Sequence, residues 1–486
     1  MLKQFDLKHF KLNNFIKAAA IIIFMLISVA ITSSCNIIDS SQENLILKPK
    51  PSDLETQIKS KMEEIEASDL TLVYSARGKY QNSINYFDLD GDGSNEIIVT
   101  YRSALAHRPQ DGNSSNICVF KQINGELVLY FDIIGRGTEI DMLDFCDFNN
   151  DGFMEIVVGY INTQDNNKKF SIYYLDYINK RYEEPVISRY TDWIITDITN
   201  TGIKCLIFVN YESLDSFANA RLVKYDVETR KIRAFAGEDT LVYSSEFYRM
   251  FEGKTADGRN AVFINAKRGS LLSTTEVLLW DEKEGYIVNE SRVEQTDAFI
   301  DKLKDGYTSL GSYLAQDIDK DDIIEIPICS EIDEKKINEE SQRGQEHLKY
   351  RYNWYEYENG LKIDFTSYIN EAQSYILKIK DSHFSENIKG YINYKNDLVF
   401  YSMEEGVGDP ILGVDNRQYL FTIKQTTVES EDKETELKYI KESNTYYIYD
   451  INPLLRDNLI NLVPTKEDIK EALYFTNILA ANDNGN

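Results

Sequence analysis

The stretch "DLDGDGSNEIIVTY", Asp88 to Tyr101, sets aspartates at 88, 90 and 92 and glycines at 91 and 93, then turns apolar. Alternating carboxylates in a tight turn suit a hard cation such as calcium, which takes six to eight oxygens at about 2.3–2.6 Å. Counting Asp88 as position one, Asp90 and Asp92 stand at three and five, Gly93 at the sharp turn and Glu96 at nine. A helix–loop–helix calcium sensor needs its bidentate glutamate at position twelve. Position twelve is Val99, and the following "EIIVTY" is β-branched strand sequence. The sensor and dockerin readings therefore fail together, while an acidic β-turn with no bound ion stays open.

The pattern recurs. "DFNNDGFMEIVVGY" begins at Asp147 and "DIDKDDIIEIPI" at Asp317, with weaker copies in "DITNTGIKCLIFV" from Asp197 and "GKTADGRNAVFIN" from Gly253. The starts are 50 to 64 residues apart, a period that marks a repeat architecture. Each start is followed, some 30 to 40 residues on, by a hairpin signal: around Asn124-Gly125, Asn179, Thr229, Gly285 and Asn359-Gly360. Asn-Gly between alternating apolar residues is a strong hairpin signal because both residues accept positive φ. Each repeat is expected to hold the strand after the loop, a hairpin pair, and the strand entering the next loop. Radial repetition of such four-stranded sheets is a β-propeller. Five loops predict five blades, with "SINYF", Ser83–Phe87, completing the sheet begun by the last repeat.

DxDxDGxxE running into an apolar strand resembles the FG-GAP or VCBS repeat family, whose repeats build integrin-like β-propellers with calcium in the loops. The resemblance covers roughly residues 70 to 370. It implies ligands Asp88, Asp90, Asp92 and Glu96 in the first loop, Asp147, Asn149, Asp151 and Glu155 in the second, and Asp317, Asp319, Asp321 and Glu325 in the fifth. In the fifth, Asp322 stands at the turn-glycine position. The third copy has Thr199, Thr201 and Cys205 at ligand positions and the fourth keeps only Asp257, so those loops are expected to hold their turns without metal.

The N-terminus has Lys3, Lys8, Lys11 and Lys17 offset by Asp6, then a 14-residue apolar run from Ala18 to Ile31, then Thr32-Ser33-Ser34-Cys35. This is the layout of a secretory signal. A cysteine at the cleavage point resembles a bacterial lipobox, with Thr32 in place of its usual leucine. Residues 1–34 are thus expected to be a lipoprotein signal peptide, Cys35 the lipidated residue, and the protein a lipoprotein on the outer face of the bacterial cytoplasmic membrane. A polar tether spans 35–53. A short amphipathic helix spans 54–69, with Leu54, Ile58, Met62 and Ile65 on one face. The propeller covers 70–370. Beyond it, 371–486 is expected to be a separate C-terminal α+β domain closed by a helix, where Thr465 and Asp468 fit a capping box after Pro464.

Composition bounds the function. Removing the leader, with its four lysines and one aspartate, takes the net charge from −27 to −30. So acidic a chain does not suit nucleic acid, where Lys and Arg must replace counterions. Cys118, Cys146, Cys205 and Cys329 are scattered through strand-like runs without CxxC spacing, as buried free thiols are. Beyond the leader, His107, His347 and His383 are dispersed, no nucleophile elbow appears, and "EEGVGDP" at 404–410 reads as a plain loop. The expectation is a non-catalytic, calcium-stabilised binding or scaffold module whose partner is an envelope protein or polysaccharide. The alternative is a propeller-borne polysaccharide lyase or hydrolase.

Overall fold

The structure, a computed structural model, describes residues 53–65, 70–103, 114–210, 219–235, 246–268, 272–292, 307–310, 313–329, 351–370, 372–379, 388–402, 419–429, 435–441, 443–455 and 457–475. The expected signal peptide, Cys35, the tether, the three histidines and the 404–410 loop lie outside these residues, as does the side chain of Cys329. The chain divides into two compact units, Met1–Ile65 and Glu66–Asn486. In the first, the described residues form the helix Asp53–Ile65. No helix among the described residues is long and apolar enough to cross a membrane.

The second unit is mainly β, and its described residues form six antiparallel sheets of four or five strands. The second sheet shows the plan: Glu139–Cys146 enters the acidic loop, Glu155–Asn162 leaves it, and Asn167–Asp176 and Arg181–Arg189 follow in spatial order. The third runs Asp192–Thr196, Cys205–Asn210, Asn219–Asp226 and Lys231–Ala234. The fourth runs Glu246–Lys254, Asn260–Arg268, Leu272–Asp281 and Tyr286–Asn289, with Tyr307–Leu310 added against Leu272–Asp281. In the first sheet, Glu96–Ser103, Ser115–Ile123 and Glu126–Ile133 are preceded by two short strands, Leu70–Leu72 and Ile84–Phe87.

Those two short strands lie end to end along one edge of Glu96–Ser103, because Leu72 faces Tyr101 and Ile84 faces Val99. This corrects the expectation for Ser83–Phe87. Ile84–Phe87 completes its own sheet, not the sheet of the last repeat. The repeating unit is shifted accordingly: each of the first four loops joins two paired strands of one sheet instead of linking two sheets, and the fifth is spanned by a single antiparallel bridge between Gln316 and Glu325. A tight loop between antiparallel neighbours is the shorter connection, so the strand entering the loop pairs with the strand leaving it.

Consecutive sheets pack face to face, and the alternation of side chains along each strand explains how. In Glu155–Asn162, Ile156 and Val158 join a core with Ile98 and Val119 of the first sheet, while Val157 joins Phe208 and Val223 of the third. Cys205–Asn210 repeats the device, with Leu206 and Phe208 toward the second sheet and Ile207 and Val209 toward Val262 and Ile264 of the fourth. Both faces are covered, which is why the post-loop strands are continuous apolar runs rather than half-polar ones. Phe263 and Val277 carry the packing on to Ile326 and Ile328 of the fifth sheet.

The fifth sheet comprises Ile326–Cys329, Arg351–Tyr357, Leu361–Asn370, Tyr375–Ile379 and, from the far end of the chain, Leu473–Phe475. The expected boundary at 370/371 runs through this sheet, since Leu361–Asn370 pairs with Tyr375–Ile379. The sixth sheet orders Ile388–Ile392, Leu398–Ser402, Tyr419–Thr426, Thr445–Ile451 and Glu436–Ile440. It shares a core with Tyr368, Tyr375 and Leu377 of the fifth and with Ile469 of the closing helix. That helix, Lys466–Ala472, opens on the capping box foreseen at Thr465 and Asp468.

The sixth sheet carries a repeat mark that the sequence reading missed. Its first two strands are joined by Asn393–Asp397, where Asn393 N–H donates to Asp397 O and Asn396 N–H to Asn393 O. The fourth loop makes the same two bonds, from Thr255 to Arg259 O and from Gly258 to Thr255 O. Asn396 and Gly258 both have positive φ.

A buried ionic cluster ties the first three sheets. Between its two short strands the chain leaves the first sheet, and Ala76 and Arg77 donate backbone bonds to Ile140 and Asp141 of the second. The Arg77 guanidinium grips both oxygens of Asp141 at 2.9–3.1 Å and reaches Asp192 of the third sheet at 2.6 Å. Lys168 and the Tyr190 hydroxyl donate to the same Asp141, whose side chain is 2% exposed.

Candidate metal centre

The acidic loops share one backbone template. The position-one aspartate accepts the position-six N–H: Asp88 from Gly93 at 2.9 Å, Asp147 from Gly152 at 2.8 Å, Asp197 from Gly202 at 2.6 Å and Asp317 from Asp322 at 3.2 Å. The position-nine glutamate accepts the position-two N–H: Glu96 from Leu89, Glu155 from Phe148 and Glu325 from Ile318, at 2.8, 3.0 and 2.8 Å. Position six is left-handed throughout, at Gly93, Gly152 and Gly202, and also at Asp322, where φ is 73°. Aspartate tolerates that region better than most residues. Position four is left-handed as well, at Gly91, Asn150, Asn200 and Lys320; Gly and Asn at three of these four was the available signal.

Neighbouring loops touch. Met154 N–H donates to Leu89 O, joining the first two. A Cβ on Gly91 would meet Gly152 O at 2.7 Å, so glycine is required there by the neighbour as well as by φ. Asn260 bonds Asn200 and Asp197, and Ile324 N–H donates to Lys254 O, linking the later loops in the same manner.

The fifth loop converges best. Carboxylate oxygens of Asp317, Asp319, Asp321 and Glu325 all lie within 4.8 Å of one another. Glu325 is fully buried, yet its Oε1 has no hydrogen-bond partner, and neither has the buried Oδ1 of Asp319. A buried carboxylate oxygen without a donor costs free energy unless a cation faces it. Burial first, then the charges of Asp319, Asp321 and Asp317, pushes Glu325 up to about 8. Two carboxylates absent from the sequence reading, Glu356 and Asp364, form a second such group with Glu325. Lys378 stands at the edge, 3.4 Å from Asp319 and 3.7 Å from Asp364. The donor set fits a calcium ion: all oxygen, strongly anionic and preshaped.

In the second loop, which carries Asp147, Asn149, Asp151 and Glu155, Asn149 donates to Asp151 at 2.9 Å and so spends two ligands on each other. Glu155 is buried, and burial with the charges of Asp151 and Asp147 pushes it up to about 8. The first loop brings Asp88, Asp90 and Glu96 within the same 4.8 Å. It also holds Lys121, whose ammonium pairs with Asp90, with Asp92 at 2.6 Å and with Glu96 at 3.4 Å. Burial opposes the charge on Lys121, but the bonds to Asp90 and Asp92 and the Glu96 charge outweigh it and raise its pKa well above the ordinary range. Burial raises Glu96 too, with Lys121 working against that rise. The third loop has Thr199 bonded to Asp197 and Thr201, and Cys205 buried at the closing position. In the fourth, Arg259 pairs with Asp257 at 2.7 Å. Neither offers a cation cradle. Cys118, Cys146 and Cys205 are buried free thiols.

These shifts set a pH dependence for the metal-free protein. Glu155 and Glu325 titrate near 8 when folded and near their ordinary value of 4.5 when unfolded. Between those values the folded chain binds more protons than the unfolded one, so stability falls as pH rises. In chelator, the melting temperature is expected to drop from pH 5 to pH 8, and Glu155→Gln with Glu325→Gln to flatten the drop. Calorimetry across that range checks it; an unchanged slope in the double variant contradicts the assignment.

An FG-GAP-like repeat matches residues 88–158. That span opens on the first acidic loop and ends in the strand after the second. No curated protein matches the chain. Among solved structures, the exotype rhamnogalacturonan lyase YesX is similar over 45% of this chain and 56% of its own length, at 12% identity and a TM-score of 0.20. The chain thus spans about half of that enzyme.

Proposed function

We propose that this protein is a calcium-stabilised β-propeller-type binding module, anchored by lipid on Cys35 outside the cytoplasmic membrane, that engages an envelope protein or polysaccharide. The observation that carries the metal is Glu325: a fully buried carboxylate with an unpartnered oxygen inside a cluster of four acidic ligands. The FG-GAP-like repeat at 88–158 and the face-to-face packing of consecutive sheets support reading the loop-bearing sheets as blades. The second and fifth loops are the calcium sites in this reading. Calcium there ties the segment entering each loop to the strand leaving it, and holds the loop-bearing end rigid for a partner.

Two measurements test it. Equilibrium dialysis against calcium should give bound ion that Glu325→Gln reduces; a chain that binds no calcium in the millimolar range refutes the metal. Cys35→Ser should release the protein to the medium or leave an unprocessed precursor in cell fractionation. A variant that stays membrane-bound at its mature size refutes the lipid anchor.

A further inference from the structure

The strand register sets one residue opposite each closing position. Ile97 pairs with Phe120, so one step on Lys121 faces Glu96. By the same count Tyr174 faces Glu155, Lys224 faces Cys205 and Glu356 faces Glu325. The four residues occupy one topological place, on the second strand of the hairpin that follows each loop, yet carry different charges.

We propose that the residue at this cross-strand place decides whether a loop takes metal, and that Lys121 serves the first loop as its own tethered cation. An ammonium has three donors and no acceptor. Here two of those donors bond Asp90 and Asp92, and the ammonium charge stands 3.4 Å from Glu96. A metal ion would need the same oxygens and would sit beside a fixed positive charge. The fifth loop shows the opposite choice: Glu356 replaces the lysine and adds a carboxylate to the ligand group through Glu325. In the third loop the closing ligand is Cys205, and Lys224 turns instead onto the rings of Trp280 at 4.2 Å and Phe235 at 5.0 Å. The first loop is thereby folded at any calcium level, while the fifth depends on the ion. This rests on the calcium reading above for the fifth loop; the role of Lys121 stands on its own contacts.

The test is calorimetric titration of the full chain with calcium chloride, with magnesium chloride as control. Lys121→Gln and Lys121→Met are each expected to bind one more calcium equivalent than the parent, and adding Asp90→Asn and Asp92→Asn to either should remove it. Glu356→Lys, which installs the lysine in the fifth loop, should bind one equivalent fewer. Circular dichroism confirms that each variant is folded in calcium. The proposal is overturned if both Lys121 variants bind as many equivalents as the parent, or if Asp90→Asn with Asp92→Asn costs the parent an equivalent. A parent that binds no calcium sinks the fifth-loop reading, and the Lys121 variants then still decide the first loop: a gained equivalent upholds the tethered cation, and none overturns it.

Discussion

An Arg77→Leu variant is expected to lose about 3 kcal/mol of stability at pH 7, near the lower end of what removing one partner of a buried ion pair costs. The loss comes from what stays behind. Asp141 keeps Lys168 and Tyr190 but loses a two-pronged guanidinium, and Asp192 keeps only the Trp193 N–H among its described donors. Burial would raise the pKa of Asp141, but bonds and charge from Arg77, with help from Tyr190 and Lys168, outweigh it and hold the carboxyl below its ordinary range. That contribution is present above the ordinary aspartate value of 3.8 and is lost as pH falls through the folded value. The difference between parent and variant should therefore be full at pH 7 and shrink at the acid end. Arg77→Lys, which keeps charge without the fork, should lie between the two. Urea denaturation at both pH values checks this; a variant as stable as the parent would mean that the three sheets hold together without the cluster.

Calcium at 10 mM is expected to stabilise the protein by about 3–5 kcal/mol if two loops each bind with a Kd of about 0.1–1 mM, the range of extracellular modules. The gain is the free energy of an ion that binds the folded loops and not the unfolded chain. Magnesium should give much less, because it demands a tighter octahedron and releases water reluctantly. Glu325→Gln together with Asp317→Asn should remove about half of the calcium effect. Melting curves in calcium, magnesium and chelator decide it, and three coincident curves would leave these loops as turns only.

What the sequence determined by itself is local. The nine-residue loops, the Asn-Gly hairpins at 124–125 and 359–360, the capping box at Thr465 and the left-handed Asp322 all depend on residues at most eight positions apart. Their signals are φ preference and side-chain-to-backbone reach, both written in the chain order. Tertiary structure alone decided which strand lies beside which. Ile84–Phe87 could have paired with any exposed edge, and period-two alternation names a face but not a neighbour. Leu473–Phe475 crosses back to Tyr375–Ile379 for the same reason. Arg77 meets Asp141 and Asp192 across 64 and 115 residues, and no local pattern encodes that meeting. Lys121 and Glu356 lay within reach of a closer reading, since each stands three residues before an Asn-Gly turn. Even so, only the register of three strands shows that one fills an acidic loop with its own ammonium and the other deepens the negative charge that a cation must neutralise.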